Sequence, residues 1–241
     1  MTTATSPSKA METMFSAGAH FGLGRSRRHP SAVKYIFGVK NQTDIFDLEK
    51  TAVLLEAAKA YVFSVAKEGR TLLFVGGKKE ASAAIKAGAQ ALNMPFVDGR
   101  WIGGTITNFP QIRKRIERYE KLIADKESGE LAKYTKRERG LMDKEIASLE
   151  KMFMGIVAMK KTPDAMFVID PRREKNAIAE AAHKGIPVLA LAGSDCDMLS
   201  IAYPIAGNDA SKASIQYFVD EIVKAYRDGQ AAGKAAAKTP A

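Results

Sequence analysis

The sequence predicts an α/β fold, with a doubly wound, mostly parallel sheet of about five strands that is interrupted by an antiparallel helical hairpin. Short continuous apolar runs, such as residues 72–75, alternate with alanine-rich helical segments. This alternation is typical of parallel strands covered by helices on both faces. A long charged segment, residues 105–161, then breaks the pattern. Residues 96–110, which contain the single tryptophan, are interpreted as the exit from the sheet into the insertion.

The N-terminal part of the chain contains short patterns that predict secondary structure. Residues 1–10 are small and polar, which predicts a flexible N-terminus. Apolar residues at helical spacing predict a short helix over residues 11–19. Residues 23–30 are expected to form a loop because they are rich in glycine and arginine and end in proline. Two β-branched and aromatic runs predict strands at residues 35–38 and 43–47.

The remaining elements follow a strand–helix alternation. Apolar residues at three-to-four spacing predict a long helix over residues 48–69, and an alanine-rich helix follows at 80–92. The other predicted elements are strands at residues 165–169, 186–191 and 203–205 and a helix at 174–184. Asp209 or Ser211 is expected to cap the final helix. Residues 229–241 lack an apolar period and are predicted to be a disordered tail.

The charged insertion is predicted to be a helical hairpin. Residues 105–161 hold fourteen Lys or Arg and nine Asp or Glu side chains, with only two narrow apolar seams. The seam residues are Ile112, Ile116, Tyr119 and Ile123 in the first helix, and Leu141 or Met142, Ile146, Leu149 and Phe153 in the second. We expect a coiled-coil arm that projects from an α/β domain made of residues 11–104 and 162–228, with Thr107 and Asn108 capping its first helix.

Composition limits the class of protein. The formal charge of +10 and the pI of about 9.6 favour a polyanionic partner such as nucleic acid or an acidic surface, although many basic proteins bind no nucleic acid. The single cysteine, Cys196, excludes an intramolecular disulfide and a cysteine zinc cluster. No secretory signal and no apolar run of bilayer length is visible, so a cytoplasmic protein without a membrane partner is expected.

Two basic segments are candidate anion sites. Residues 1–40 hold six Lys or Arg against one acidic residue, and a glycine-rich arginine loop can follow a phosphate backbone or remain a solvated loop. The Gly76-Gly77-Lys78-Lys79 turn follows a predicted strand but lacks the spacing of both common nucleotide-binding motifs. Because lysines are unfavourable at a helix N-terminus, their charge is either kept for an external anion or merely solvated.

Catalytic signals are few. His20, His29 and His183 lie far apart in sequence, without a metal-ligand spacing. Aspartates follow predicted strands at Asp170, at 195–197 and at 208–209, where open α/β sheets build their sites, so two interpretations stay open. They form a cation or acid–base site, or they serve as caps and turn residues. Trp101, Gly103 and Gly104 are interpreted as buried anchors at the domain corner.

Several blocks together resemble one family. They are Gly18-Ala-His-Phe-Gly22, Tyr35-Ile-Phe-Gly38, Asp47-Leu-Glu-Lys-Thr51, Leu73-Phe-Val-Gly76 with Lys78-Lys79, Arg100-Trp-Ile-Gly-Gly-Thr-Ile-Thr-Asn108, Pro163-Asp164, Gly185-Ile-Pro-Val188, Cys196-Asp197 and Gly207-Asn-Asp209. Their order resembles the family of the second protein of the bacterial small ribosomal subunit, from about residue 11 to 226. The tryptophan block is the most specific of them.

The resemblance implies a flavodoxin-like body with a coiled-coil hairpin and no catalysis, cofactor or metal. It implies a structural, ribosome-bound protein that contacts small-subunit rRNA at the head–body junction, lies beside other small-subunit proteins and helps to dock the mRNA-binding ribosomal protein S1. The expected rRNA-binding residues are Arg25, Arg27, Arg28, Lys34, Lys78, Lys79, Arg100, Arg113, Lys114 and Arg115. The expected protein-docking residues are Asp195, Asp197 and Asp209. Two carboxylates of the family's acidic pocket are missing here, where Gly193 and Ala210 stand, and Asp195 is a candidate replacement.

Overall fold

The computed structural model describes the fold of residues 7–237 and contains two sheets and seven α-helices within that range. The helices are α1 (Pro7–Ser16), α2 (Leu48–Lys67), α3 (Lys79–Gln90), α4 (Phe109–Glu127), α5 (Lys136–Phe153), α6 (Lys175–His183) and α7 (Lys212–Ala237). The strands are β1 (Phe21–Gly24), β2 (Ile36–Lys40), β3 (Thr43–Phe46), β4 (Leu72–Val75), β5 (Phe96–Val97), β6 (Ala165–Ile169), β7 (Val188–Ala192) and β8 (Tyr203–Ala206).

The main sheet confirms the predicted fold class. Its five strands pair in parallel in the order β5-β4-β6-β7-β8. Counted along the chain within this sheet, the order is 2-1-3-4-5, which is the flavodoxin-like arrangement with its switch point between β4 and β6. Every residue of β4, β6 and β7 is buried, because helices cover both faces.

The two faces of the sheet have separate cores. Leu72 and Phe74 point toward α2, α3 and α7, while Leu73 and Val75 point toward α6 and the root of the hairpin. This split follows from the two-residue period of a strand, which sends alternate side chains to opposite faces. Trp101 belongs to the second core, so the loop before α4 is attached to the hairpin side of the sheet.

A small antiparallel sheet, in the order β1-β3-β2, lies at the N-terminal side of the chain. The two predicted strand-like runs form β2 and β3, joined by a turn in which Asn41 and Gln42 have left-handed φ values of 49° and 59°. Strand β1 was not predicted, because glycines at 22 and 24 hide its alternation. The Leu23 N–H donates to Ser194 Oγ at 2.9 Å and ties β1 to the loop after β7.

The insertion forms the predicted helical hairpin. Helices α4 and α5 pack along their apolar seams, and a capping box between Thr135 and Glu138 starts α5. One detail of the seam differs from prediction, since Leu122 is buried in place of the half-buried Ile123. Of the two alternatives at the start of the second seam, Met142 is half-buried and Leu141 is 60% exposed. Asn108 occupies the N-cap position of α4, but its side chain makes no capping hydrogen bond.

Both predicted flexible ends need correction within the described residues. Helix α1 already begins at Pro7, and α7 continues to Ala237 through most of the predicted disordered tail. The glycines at 229 and 233 permit close packing: a Cβ on Gly229 would lie 2.5 Å from Phe63 O, and one on Gly233 2.5 Å from Lys67 O. They therefore bring α7 against the end of α2. Residues 1–6 and 238–241 lie outside the described residues.

Two smaller features complete the fold. Asn208 prepares the entry to α7, since its Oδ1 accepts from the backbone N–H groups of Ala210 and Ser211 at 3.0 and 3.2 Å. The carboxylate of Asp209, a predicted cap, contacts Lys78 Nζ at 3.1 Å. None of the helices between residues 7 and 237 has the length and apolar character that crossing a membrane requires.

Candidate nucleic-acid interface

The N-terminal arginine loop presents two of its three arginines to solvent. Arg25 and Arg27 lie in a single 3₁₀ turn and are exposed, with no ion-pair partner among the described residues. Arg28 turns inward and forms a forked ion pair with the fully buried Asp44; its Nε donates to Asp44 Oδ2 at 2.8 Å. The hydrogen bond to Asp44 raises the pKa of Arg28. Arg28 thus has a structural role, and its rRNA contact stays a prediction.

The root of the hairpin shows a similar division. The Arg113 Nη1 donates to Val157 O at 2.9 Å, and its Nη2 donates to Glu120 at 2.8 Å, so this guanidinium joins the two ends of the arm. Lys114 and Arg115 are exposed and have no ion pair within residues 7–237. The predicted run of three cations therefore leaves two that face solvent.

Three further predicted cations lie at separate places on the body. Lys34 is exposed, and its Nζ lies 4.8 Å from the centre of the Tyr35 ring. Lys79 and Arg100 are exposed near the carboxyl ends of β4 and β5 respectively, with no ion pair among the residues described. Lys34, Lys79 and Arg100 thus join Arg25, Arg27, Lys114 and Arg115 as predicted cations that face solvent.

Lys78 occupies the crevice at the switch point of the sheet. Its Nζ lies 2.8 Å from Asp170 Oδ2 and 3.1 Å from Asp209 Oδ2, and all three side chains are mostly buried. Asp170 follows β6 with a left-handed φ of 62°, a conformation that aspartate tolerates better than most residues. Burial opposes the charge of Lys78, but the two carboxylates outweigh it and raise the pKa of Lys78. Its charge is consequently neutralised inside the protein, contrary to the expectation that it serves an external anion.

An internal carboxylate also fills the anion position of this crevice. Glu174 Oε1 accepts from the Gly77 N–H at 3.2 Å, at the turn where flavodoxin-like folds commonly hold a phosphate. A Cβ on Gly77 would lie 2.4 Å from Gly99 O, so the turn is packed closed. Burial raises the pKa of Glu174. The chain's own charges thus occupy the usual ligand position.

One group of side chains has the composition of a cation site. Oxygens of Asp170 and Asp209 and the Sγ of Cys196 lie within 4.8 Å of one another. A divalent cation would have to displace the Lys78 ammonium that already bridges the two carboxylates. Burial raises the pKa of the Cys196 thiol, which keeps it protonated and a poor ligand. Burial also raises the pKa of Asp209 to about 6, against the effect of Lys78.

The three aspartates predicted to dock a partner differ in accessibility. Asp209 is buried against Lys78, and the half-buried Asp195 receives a 2.7 Å hydrogen bond from Arg172 Nη1. Asp197 is exposed, and its Oδ1 accepts from the backbone N–H of Leu199 at 3.0 Å. Only Asp197 among them presents a carboxylate to solvent without an ion pair in the described part of the chain.

Glu180 is the main functional residue that the sequence interpretation missed. Its Oε1 accepts from Trp101 Nε1 at 3.0 Å and from Gly104 N at 2.8 Å. Its Oε2 accepts, each at 3.0 Å, from Ile106 N and from both N and Oγ1 of Thr107. Burial opposes ionisation, but these hydrogen bonds outweigh it and lower the pKa of Glu180. One carboxylate thus holds the predicted Trp101 anchor and the entry to the arm.

A sequence signal for Glu180 was present. It lies one residue before Ala181 and three after Ala177, both fully buried in α6. An acidic residue on an apolar helix face is uncommon unless it is paired or hydrogen-bonded.

The two glycines predicted as anchors differ. A Cβ on Gly103 would meet nothing within 4 Å, whereas Gly104 has a φ of 88° that favours glycine.

These features define a class: a flavodoxin-like α/β protein with an inserted helical hairpin, internally neutralised charges at its crevice and, among the described residues, exposed cations without ion pairs on the arginine loop and at the root of the hairpin. The family model described as Ribosomal protein S2 matches residues 14–229. The chain therefore belongs to the ribosomal protein S2 family, a family of structural ribosomal proteins that are not known as enzymes.

Curated relatives agree with this assignment. The chain is 42% identical over 221 residues to small ribosomal subunit protein uS2 of Sulfurimonas denitrificans, covering 92% of this chain and 85% of the relative. It is 41% identical to the protein of the same name from Wolinella succinogenes, covering 92% of this chain and 82% of the relative. The identity to the Dictyoglomus thermophilum protein of that name is 39%, covering 91% of this chain and 89% of the relative.

Proposed function

We propose that the protein is a structural constituent of the small ribosomal subunit, bound to the ribosome in the cytoplasm, and that it binds small-subunit rRNA at the head–body junction. The observation that carries the rRNA contact is the set of exposed cations at the N-terminal loop and the arm root that have no ion-pair partner within residues 7–237. They are Arg25, Arg27, Lys114 and Arg115. Membership of the ribosomal protein S2 family supports the choice of partner.

The mechanism is placement of cations on a folded RNA. Each exposed guanidinium or ammonium neutralises phosphate charge and releases counterions, which makes binding salt-dependent. The buried Arg28–Asp44 pair fixes the backbone that carries Arg25 and Arg27. Glu180 fixes the loop from which the arm departs. The body therefore holds the cations of the arginine loop and of the arm root in fixed positions.

Docking of ribosomal protein S1 is the second part of the proposal. Asp197 offers an exposed carboxylate, and Asp195 lies beside it with its charge shared by Arg172. Leu199, 74% exposed, adds an apolar contact next to Asp197. Asp209 supports this surface from inside through Lys78, without reaching the solvent.

Co-sedimentation with small subunits lacking this protein tests the proposal. The wild-type chain should pellet with the particles, with affinity that falls steeply as salt rises. Arg25→Gln with Arg27→Gln should reduce the slope of log affinity against log salt by about 1.5, since each lost phosphate contact contributes about 0.7 to 0.9. A wild-type chain that stays in the supernatant at low salt would overturn the proposed function.

The matched control is Lys184→Gln with Lys224→Gln. Lys184 lies in the turn after α6 and Lys224 lies on α7; both are exposed and lack ion pairs within the described residues, so this control makes the same change in net charge. It should leave the salt slope near that of wild type. An equal loss for both double variants would mean that net charge alone drives binding and would contradict the assignment to the arginine loop.

A further inference from the structure

We propose that the outward side of α5 forms an additional RNA-backbone site, a lengthwise basic ridge made of Arg137, Lys144 and Lys151. This inference rests on the proposed rRNA binding and extends it to a helix on which no contact was predicted. All three side chains are exposed. None forms an ion pair within residues 7–237.

Helix geometry places the three cations in one row. Arg137, Lys144 and Lys151 are spaced by seven residues, almost two full turns, so successive members differ in direction by only about 20°. The rise of the helix separates neighbours by about 10 Å and the ends of the row by about 21 Å. The row lies opposite the seam residues Ile146 and Phe153, which pack toward α4 and the body.

Three of the four acidic residues of α5 are engaged within the hairpin, and the fourth, the exposed Glu150, lies about 100° around the helix from Lys151. Asp143 pairs with Lys126 at 2.7 Å and Glu145 with Arg118 at 3.2 Å, both across the hairpin. Glu138 is held in the capping box at the start of the helix. The hairpin therefore uses these carboxylates internally and leaves a face of one sign.

On the face of α5 that carries the ridge, the residues between the three cations are uncharged. The ridge also includes Gly140, Leu141, Ala147 and Ser148, all exposed. Gly140 is informative because a Cβ there would meet nothing within 4 Å and its φ is not left-handed. No contact within the described fold requires glycine, yet glycine weakens an exposed helix interior relative to alanine. A partner that approaches the helix closely accounts for it.

A continuous polyanion fits this face better than a protein does. A straight row of fixed positive charges complements a phosphate backbone, and small residues between them let sugar and phosphate approach the helix. A protein interface usually has a central apolar or aromatic anchor, whereas the ridge carries a single large apolar side chain, Leu141. The geometry therefore points to the sugar–phosphate backbone of RNA as the occupant.

The test compares full-length variants for binding to small subunits that lack this protein, across a salt series. The triple variant Arg137→Gln, Lys144→Gln, Lys151→Gln should reduce the salt slope by about 2 to 2.7, with at least a tenfold loss of affinity at moderate salt. A control triple variant, Lys184→Gln, Lys212→Gln, Lys224→Gln, makes the same change in charge at exposed positions, one in the turn after α6 and two on α7. It should bind nearly as wild type.

Gly140→Leu supplies a test without any change in charge. Leucine raises helix propensity, so the thermal midpoint should rise or stay unchanged, while its side chain blocks close approach and should weaken binding at least fivefold. Unchanged binding by both the triple variant and Gly140→Leu would overturn the ridge while wild-type binding upholds the proposed function. An equal loss for the control triple variant would also overturn it. Absence of wild-type binding would instead refute the proposed function.

Discussion

Replacement of Glu180 by glutamine should lower the free energy of unfolding by about 3 kcal/mol. The carboxylate accepts five hydrogen bonds, two at Oε1 and three at Oε2. A glutamine amide has one accepting oxygen, and its NH₂ group would face N–H donors. If that oxygen takes the three bonds from Ile106 and Thr107, the bonds from Trp101 and Gly104 are lost.

The magnitude follows from those two lost bonds. Hydrogen bonds to a charged group contribute about 1.5 to 3 kcal/mol each. Because Glu180 is only partly buried, the lower end of that range applies, which gives about 3 kcal/mol for two bonds. The buried Trp101 indole N–H would then lack its partner.

Urea unfolding followed by tryptophan emission measures this change directly, since Trp101 is the single tryptophan. The midpoint should fall by about 1 M urea, and the native emission should shift as the indole loses its partner. Glu127→Gln, at an exposed position without an ion pair among the described residues, is the control and should change stability by less than about 0.5 kcal/mol. A loss below about 1 kcal/mol for Glu180→Gln would refute the reasoning.

The difference in stability between wild type and Glu180→Gln has a defined pH dependence. Because the folded pKa of Glu180 is lowered, its stabilising contribution is complete above the ordinary value of 4.5 and is lost as pH falls through the folded pKa. The stability difference between wild type and Glu180→Gln should therefore be constant near neutral pH and shrink below about pH 4.5. A difference that stays constant down to pH 3 would contradict the hydrogen-bonded carboxylate.

Three further outcomes are expected. Lys78→Met should cost about 3 to 5 kcal/mol at pH 7.5 in thermal unfolding. Burial raises the pKa of Asp209 to about 6 even beside Lys78, and loss of the ammonium raises it further, so part of the lost stability should return as pH falls toward 6; a loss independent of pH would contradict this. Arg28→Gln should cost a similar amount by leaving Asp44 buried and unpaired, and a midpoint equal to wild type would refute that role. Gly229→Ala should speed amide hydrogen exchange in α7 beyond that residue, since its Cβ would lie 2.5 Å from the α2 backbone; unchanged exchange would disprove the close packing.

The repeating elements could be predicted from sequence because they depend on local periodicity. The buried runs of β4 and β6 and the two seams of the hairpin each follow from the apolar pattern. The end of α7 could not, because glycine and alanine read as a flexible tail, whereas here the two glycines serve helix packing. Glycines at 22 and 24 likewise removed the alternating pattern that would have predicted β1.

The chemistry of the site was less predictable than the fold. The bonds of Glu180 to Trp101 and of Lys78 to Asp209 join residues 79 and 131 positions apart. No local pattern distinguishes a lysine that serves an external anion from one that neutralises two distant aspartates. The cations of the arginine loop were recognised as a group, but only the structure separates the inward Arg28 from the exposed Arg25 and Arg27.

The hairpin affects the loop closure that is needed to pair β4 with β6. In the sheet, Leu72 of β4 pairs with Ala165 of β6, so the whole insertion lies between two neighbouring strands. Closing such a loop costs entropy that grows with the logarithm of its length, about 0.6 kcal/mol for each doubling. Helices α4 and α5 fold back on each other through local contacts and so shorten the effective loop before the strands meet. We therefore expect the folded arm to lower the entropy cost of pairing β4 with β6 by about 0.6 kcal/mol for each halving of the effective loop.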